Sequence, residues 1–153
     1  DSAFGVDARR YWRLDDGNVL AGHASLRVMP SARGAPFWAL SSLGGDRSTL
    51  DEREPLRGYG EDRFVDRNLV AAGVELRTRA FDLEAFATRL SLELTPFIDV
   101  GKVSGSGDAQ TARLHHVAGV GIRGVAAPFV VGYVDVGYGR EGAAVFSGIN
   151  DPF

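Results

Sequence analysis

Apolar and polar residues alternate along most of this chain with a period of two. Between positions 89 and 101, one parity holds Leu90, Leu92, Leu94, Pro96, Ile98 and Val100. The other holds Arg89, Ser91, Glu93, Thr95, Phe97, Asp99 and Gly101. Successive side chains of a strand point to opposite faces, so this run presents one apolar and one mostly polar face. The run before it sets Val70, Ala72, Val74, Leu76, Thr78 and Ala80 against Leu69, Ala71, Gly73, Glu75, Arg77 and Arg79. Later, Ala118, Val120 and Ile122 oppose His115, Gly119, Gly121 and Arg123, and Val130, Val134, Val136 and Tyr138 oppose Tyr133, Asp135 and Gly137. Upstream, Leu20, Gly22, Ala24, Leu26 and Val28 oppose His23, Ser25 and Arg27. The pattern predicts seven strands, at about 3–14, 20–28, 69–80, 89–101, 114–126, 129–140 and 144–153. Pro96 lacks a ladder donor and predicts an irregularity in its strand. In the first strand Arg10 falls on the apolar side, beside Tyr11 and Trp12, a combination that suits an interfacial aromatic girdle.

The connections alternate in length. Residues 15–18, 81–84 and 127–128 make short turns, whereas 30–67 is very long and 104–113 is longer and rich in Gly and Ser; 141–143 is modest. A soluble antiparallel sandwich also alternates apolar and polar positions. Strand length, one-sided charge and loop asymmetry favour a different all-β architecture, an antiparallel transmembrane barrel with short periplasmic turns and longer external loops. Its strands need roughly 9–11 residues to cross. The C-terminus then lies on the periplasmic side. Seven strands do not make an ordinary even-stranded barrel. The chain reads as the C-terminal part, residues 1–153, of a larger one whose remainder precedes Asp1.

Composition agrees. The 153 residues are 44% hydrophobic, which suits an ordered domain, and 20 glycines suit curved strands. A net charge of -3 without a basic run gives no sign of a nucleic-acid partner. The absence of cysteine excludes disulfides and thiolate metal sites. No apolar run reaches the length of a transmembrane helix, and no signal peptide is visible, so the natural N-terminus is expected further upstream.

The loop over 30–67 is too long for an idle connection. Its Pro36-to-Gly44 stretch, with Phe37 and Trp38, predicts a short helical turn. Next comes Leu56-Arg57-Gly58-Tyr59, where Gly58 permits a tight turn that projects Arg57 in a defined direction. An isolated Arg-Gly pair is ordinarily a solvated loop feature. Here Glu75 and Asp99, on the polar faces of neighbouring strands, are suitable carboxylate partners for a two-pronged guanidinium contact.

Enzymatic readings are weaker. Gly119-Val120-Gly121-Ile122-Arg123-Gly124 matches a dinucleotide-binding fingerprint, but the strand alternation runs straight through it. The histidines are His23, His115 and His116, and the adjacent pair points to opposite faces, which does not suit a shared metal. No nucleophile-elbow sequence is present. Glu75, Glu93 and Asp99 share their face with arginines and read as charge-balanced wall residues rather than hydrolytic carboxylates. The expectation is no catalytic residue, cofactor or metal site within this chain.

Several segments together carry a family resemblance. They are Gly44-Gly45, Leu56-Arg57-Gly58-Tyr59, Arg63-Phe64, Val74-Glu75-Leu76-Arg77, Phe97-Ile98-Asp99-Val100-Gly101-Lys102-Val103, Gly119-Val120-Gly121-Ile122-Arg123, Asp135-Val136-Gly137-Tyr138 and the terminal Phe153. Their order resembles the C-terminal barrel of BamA/TamA-type outer-membrane assembly proteins, the bacterial surface antigen family. The resemblance implies a barrel of about sixteen strands, a size within the range known for such barrels. It implies an external loop tucked into the lumen, with Arg57 against the wall near Glu75 and Asp99, and a strand motif marked by Phe97 and Gly101. Phe153 is then the outer-membrane insertion signal, although Ser147 and Asp151 stand at alternate positions that are often apolar or aromatic in such signals. The implied function is insertion or translocation of client polypeptides, with outer-membrane lipids around the barrel. Periplasmic or lipoprotein partners would act through N-terminal domains not included here. An alternative is a membrane-anchoring barrel of a lipid hydrolase or phosphoesterase whose catalytic domain lies upstream.

Overall fold

The computed structural model describes residues 2–31, 36–47, 53–85, 88–109, 112–126 and 129–149. In chain order its elements are β1 (Phe4–Arg13), β2 (Asn18–Val28), a 3-10 turn (Phe37–Ala39), β3 (Ser41–Leu43), β4 (Arg53–Glu54), β5 (Phe64–Asp66), β6 (Asn68–Ala85), β7 (Thr88–Ser104), β8 (His115–Ala126), β9 (Phe129–Gly139) and β10 (Gly142–Gly148). The fold is all-β. Seven strands pair antiparallel in the order β1-β2-β6-β7-β8-β9-β10. The sheet is open, with β1 and β10 as its edges among the described residues.

Register joins like with like across this sheet. Leu26 stands opposite Val6 on one side and Val70 on the other. Val74 meets Ile98, Ile122 meets Val134, and Val136 meets both Val120 and Val145. The apolar positions of neighbouring strands therefore merge into one continuous band. That band faces outward: Ile98 is 54% exposed, Ile122 55% and Val145 65%. The opposite face is covered, and Thr95, Asp99, Arg123 and Asp135 on it are fully buried. The covered face is mixed, since Leu69, Ala71, Phe97, Val103 and Val117 are buried on it beside those polar groups.

The cover is the chain between β2 and β6. Its β3 pairs parallel with β4 and antiparallel with β5. Leu43, Leu56, Tyr59 and Phe64 from this segment pack on Leu69, Ala71, Phe97, Val103 and Val117 from the long strands. Complete burial of Leu43 and Leu56 contributes about 1.5–3 kcal/mol each. The apolar core thus lies between the loop and the inner face of the sheet, toward the end from which the loop enters.

The structure corrects the sequence reading in several places. Residues 81–84, expected as a turn, continue β6 and pair with β7. A bulge between Arg79 and Phe81 shifts the phase, so Phe81 and Leu83 align with outward Leu92 and Leu90. One extra residue in the strand breaks the alternation that would otherwise announce it. At Pro96, Cα pairing with β6 passes from Glu75–Phe97 to Thr78–Leu94 without any change of register. The missing N–H interrupts the ladder there and leaves the strand in place. The long loop holds strands as well as the expected helical turn, because it needs a folded unit of its own to cover the inner face. The last strand runs over Gly142–Gly148, and the turn before it tightens to Arg140 and Glu141.

Hydrogen exchange should rank the strands by their place in the sheet. Amides at the centre of β6 and β7, paired on both sides, are expected to exchange slowest, and those of β1 and β10 fastest, by mass spectrometry of the protein in its folded state. Measured on residues 1–153 alone, equal protection of edges and centre would contradict the open-sheet arrangement.

Candidate functional site

The site begins with a tight turn. Gly58 and Tyr59 both donate backbone N–H bonds to the Leu56 carbonyl, at 2.7 and 3.0 Å. Gly45 holds the turn from the side, accepting from Leu56 N–H and donating to the Tyr59 carbonyl, each at 3.0 Å. Arg57 is carried at the apex and is almost completely buried. Gly137 of β9 lies directly beneath, and a Cβ there would occupy the position of the Arg57 carbonyl. This close approach is the physical demand that only glycine meets.

The Arg57 guanidinium binds Asp99 with two prongs, Nε to Oδ2 and Nη2 to Oδ1, both at 2.9 Å. Its Nη1 donates to Glu75 Oε2 at 2.9 Å and to Asp135 Oδ2 at 3.2 Å. Its backbone N–H also donates to Asp99 Oδ2 at 3.2 Å. The Phe97 ring lies under the guanidinium, 3.6 Å from centroid to Cζ, and supplies a cation–π contact. Glu75 in turn accepts from both Nη atoms of Arg123 and from Arg77 Nε at 2.8 Å. Burial alone would make Arg57 easier to deprotonate, but Asp99, Glu75 and Asp135 hold its pKa above the ordinary guanidinium value. Arg57 therefore carries a full positive charge at every physiological pH.

Three carboxylates and three guanidiniums make this cluster formally neutral. Both oxygens of Glu75 and of Asp99 are engaged by charged donors, whereas Asp135 Oδ1 is buried without a hydrogen-bond partner among the described residues. The arrangement suits a latch between loop and wall.

The structure brings Leu56, Arg57, Gly58, Tyr59, Glu75, Asp99 and Phe97 into this one assembly. Gly101 stands nearby, where a Cβ would come within 2.8 Å of the Leu43 side chain. Phe153 lies outside the described residues. Of the histidines, His115 stacks on Phe64 at 3.8 Å, His116 is exposed on the opposite face, and His23 is buried near the latch. Among the described residues no His, Cys, Asp and Glu group could hold a metal.

Sequence reasoning missed Asp135 as the third acidic partner, and Arg77 and Arg123 as guanidiniums shared with Glu75. Each lies on the polar parity of its strand, which was the available signal. Their convergence depends on cross-strand stagger, which alternation within one strand does not report. A second tie was also missed: the Tyr133 hydroxyl donates to Asp46, joining the loop to β9 at 2.5 Å. No protein-family model, curated protein or solved structure matches this chain.

Arg57→Ala leaves three buried carboxylates with two guanidiniums, and loss of one buried partner costs about 3–5 kcal/mol. The loop is expected to become cleavable in limited proteolysis while far-UV circular dichroism keeps its strand signal. Gly137→Ala should release the loop in the same way with every charge retained, because the turn cannot sit on a methyl group. Protection from protease in both variants would show that the latch does not hold the loop.

Proposed function

We propose that this chain is the C-terminal seven-stranded portion of a larger β-barrel in a bacterial outer membrane, of the BamA/TamA assembly type. The observation that carries the reading is the exposed apolar face of the sheet. An outward band of Val, Ile, Leu and Phe backs onto a covered face that combines an apolar core with buried Arg, Glu, Asp and Thr. Hydrocarbon around the band and a polar lumen behind it make that distribution favourable. A membrane-spanning sheet must leave no lipid-exposed edge, so the free edges of β1 and β10 call for further strands. Trp12, exposed near the short turn after β1, suits an interfacial girdle, with Arg10 5.4 Å from its ring, whereas Tyr11 lies on the other face beside Arg77.

Within that barrel the loop from β2 to β6 occupies the lumen, and Arg57 fastens it to the wall. The work is insertion or translocation of polypeptides, and the free edge of β10 belongs to the seam where a client strand would pair. The Leu56-Arg57-Gly58-Tyr59 turn seated on Glu75 and Asp99 supports this type over a passive pore. Outer-membrane lipids and client polypeptides are the partners. Periplasmic or lipoprotein partners would engage domains beyond this chain.

Two measurements test the reading on the full-length protein. The protein should sediment with outer membranes and resist alkaline extraction. Ile98→Arg and Ile122→Arg should lower its membrane yield, since a midplane arginine on a lipid-facing strand costs about 2–4 kcal/mol. Recovery of the protein in the soluble fraction would sink the barrel. Reconstituted in vesicles, it should accelerate folding of a urea-unfolded outer-membrane client, and Arg57→Ala should slow that reaction. No acceleration over empty vesicles would remove the assembly function and leave the anchoring role. Deletion of Phe153 is expected to reduce insertion of the protein itself, measured as the protease-protected fraction, and unchanged insertion would show that the terminal signal is dispensable.

A further inference from the structure

A second constellation lies on the far side of Tyr59 from the latch. Tyr59, Arg63, Phe64, Arg113, His115 and Arg140 line a cleft of about 420 Å³. The volume falls within the range of small-molecule sites, roughly 300–1,000 Å³. Its aromatic side is ordered: the Phe64 and His115 rings stack at 3.8 Å, and Tyr59 meets both edge-on at 5.1 and 5.6 Å. The Tyr59 hydroxyl is fixed in turn, accepting the Arg140 N–H at 3.1 Å.

The charges are unevenly committed. Arg63 is held by Glu141 through two bonds, at 2.9 and 2.6 Å. Arg113 and Arg140 are exposed on the wall, and among the described residues neither makes an ion pair. Asp108 is the one other carboxylate lining the cleft. Three guanidiniums against two carboxylates leave the lining with a net positive formal charge. Guanidiniums recognise phosphate through parallel N–H donors. Tyr59 and Phe64 are buried, so the half-buried His115 ring, backed by Phe64, is the aromatic surface that the cleft offers to a sugar ring.

We propose that this cleft binds a small phosphorylated saccharide, with Arg113 and Arg140 on the phosphate and His115, backed by Phe64, beside the ring. The ligand would bear on His115, whose ring packs on Tyr59 and Phe64 of the loop core, so occupancy would tighten the loop that carries Arg57. The same chemistry occurs in a free sugar phosphate and in the head group of a phosphorylated glycolipid. The site stands on the cleft's residues and does not need the membrane reading.

The test titrates full-length protein in detergent with glucose 1-phosphate, inorganic phosphate and glucose, followed by calorimetry. Saturable binding of glucose 1-phosphate, tighter than either component, is expected. Arg113→Gln and Arg140→Gln should each weaken it about tenfold, the scale of one lost charge-assisted hydrogen bond. Both side chains are exposed, so unchanged circular dichroism is expected of these variants. A competition arm adds a phosphorylated glycolipid in mixed micelles. Displacement at lower concentration than the free sugar phosphate assigns the site to the membrane ligand, and the reverse order assigns it to the solute. Inorganic phosphate binding as tightly as glucose 1-phosphate overturns the saccharide assignment. No saturable binding, or binding unchanged in both variants, overturns the site.

Discussion

Burying an unpaired guanidinium costs far more than a small fold can spare, so Arg57 dictates much of what surrounds it. It needs acceptors on the wall, and Glu75, Asp99 and Asp135 supply them from β6, β7 and β9. Those carboxylates need further donors, and Arg77 and Arg123 complete the set. The charge cluster is thereby spread over four neighbouring strands and the loop. Its geometry holds only when strand register, the Leu56–Tyr59 turn and the space above Gly137 all agree. Each element is ordinary alone, and the neutral cluster ties them together.

The same constraint explains the two faces of the sheet. The loop fastens to charged groups on the inner face and packs on Leu69, Ala71, Phe97, Val103 and Val117 beside them, while the other face carries an exposed apolar band. An outward apolar band is costly in water and favourable in hydrocarbon. The latch and the proposed membrane environment are therefore two consequences of one distribution of side chains. The aromatic core formed by Tyr59, Phe64 and Phe97 lies between them, joining the loop to strands that it touches nowhere in sequence.

The cleft beyond Tyr59 extends this logic outward. One residue, Tyr59, contributes to the turn that projects Arg57 and to the wall of the cleft. A ligand that orders this wall would act on the loop from the opposite side to the charge cluster. Coupling of that kind requires only a shared rigid segment, and the stacked rings of Phe64 and His115 provide one.

Much of the strand layout was legible from alternation, because side chains in a strand change face at every residue whatever their neighbours do. The pairing of Arg57 with Glu75 and Asp99 could be anticipated from three facts: a tight-turn glycine, a loop too long to be idle, and acids on the polar parity. The continuation of β6 through Phe81 and Leu83 was hidden, since a bulge reverses the phase on which the reading depends. Asp135, Arg77 and Arg123 were visible as polar-face residues and invisible as a cluster. The sequence by itself determined which residues share a face, because that follows from local backbone geometry. Only the tertiary structure decided which face is covered, by what, and which charges meet, because those depend on cross-strand register and on where a long loop comes to rest.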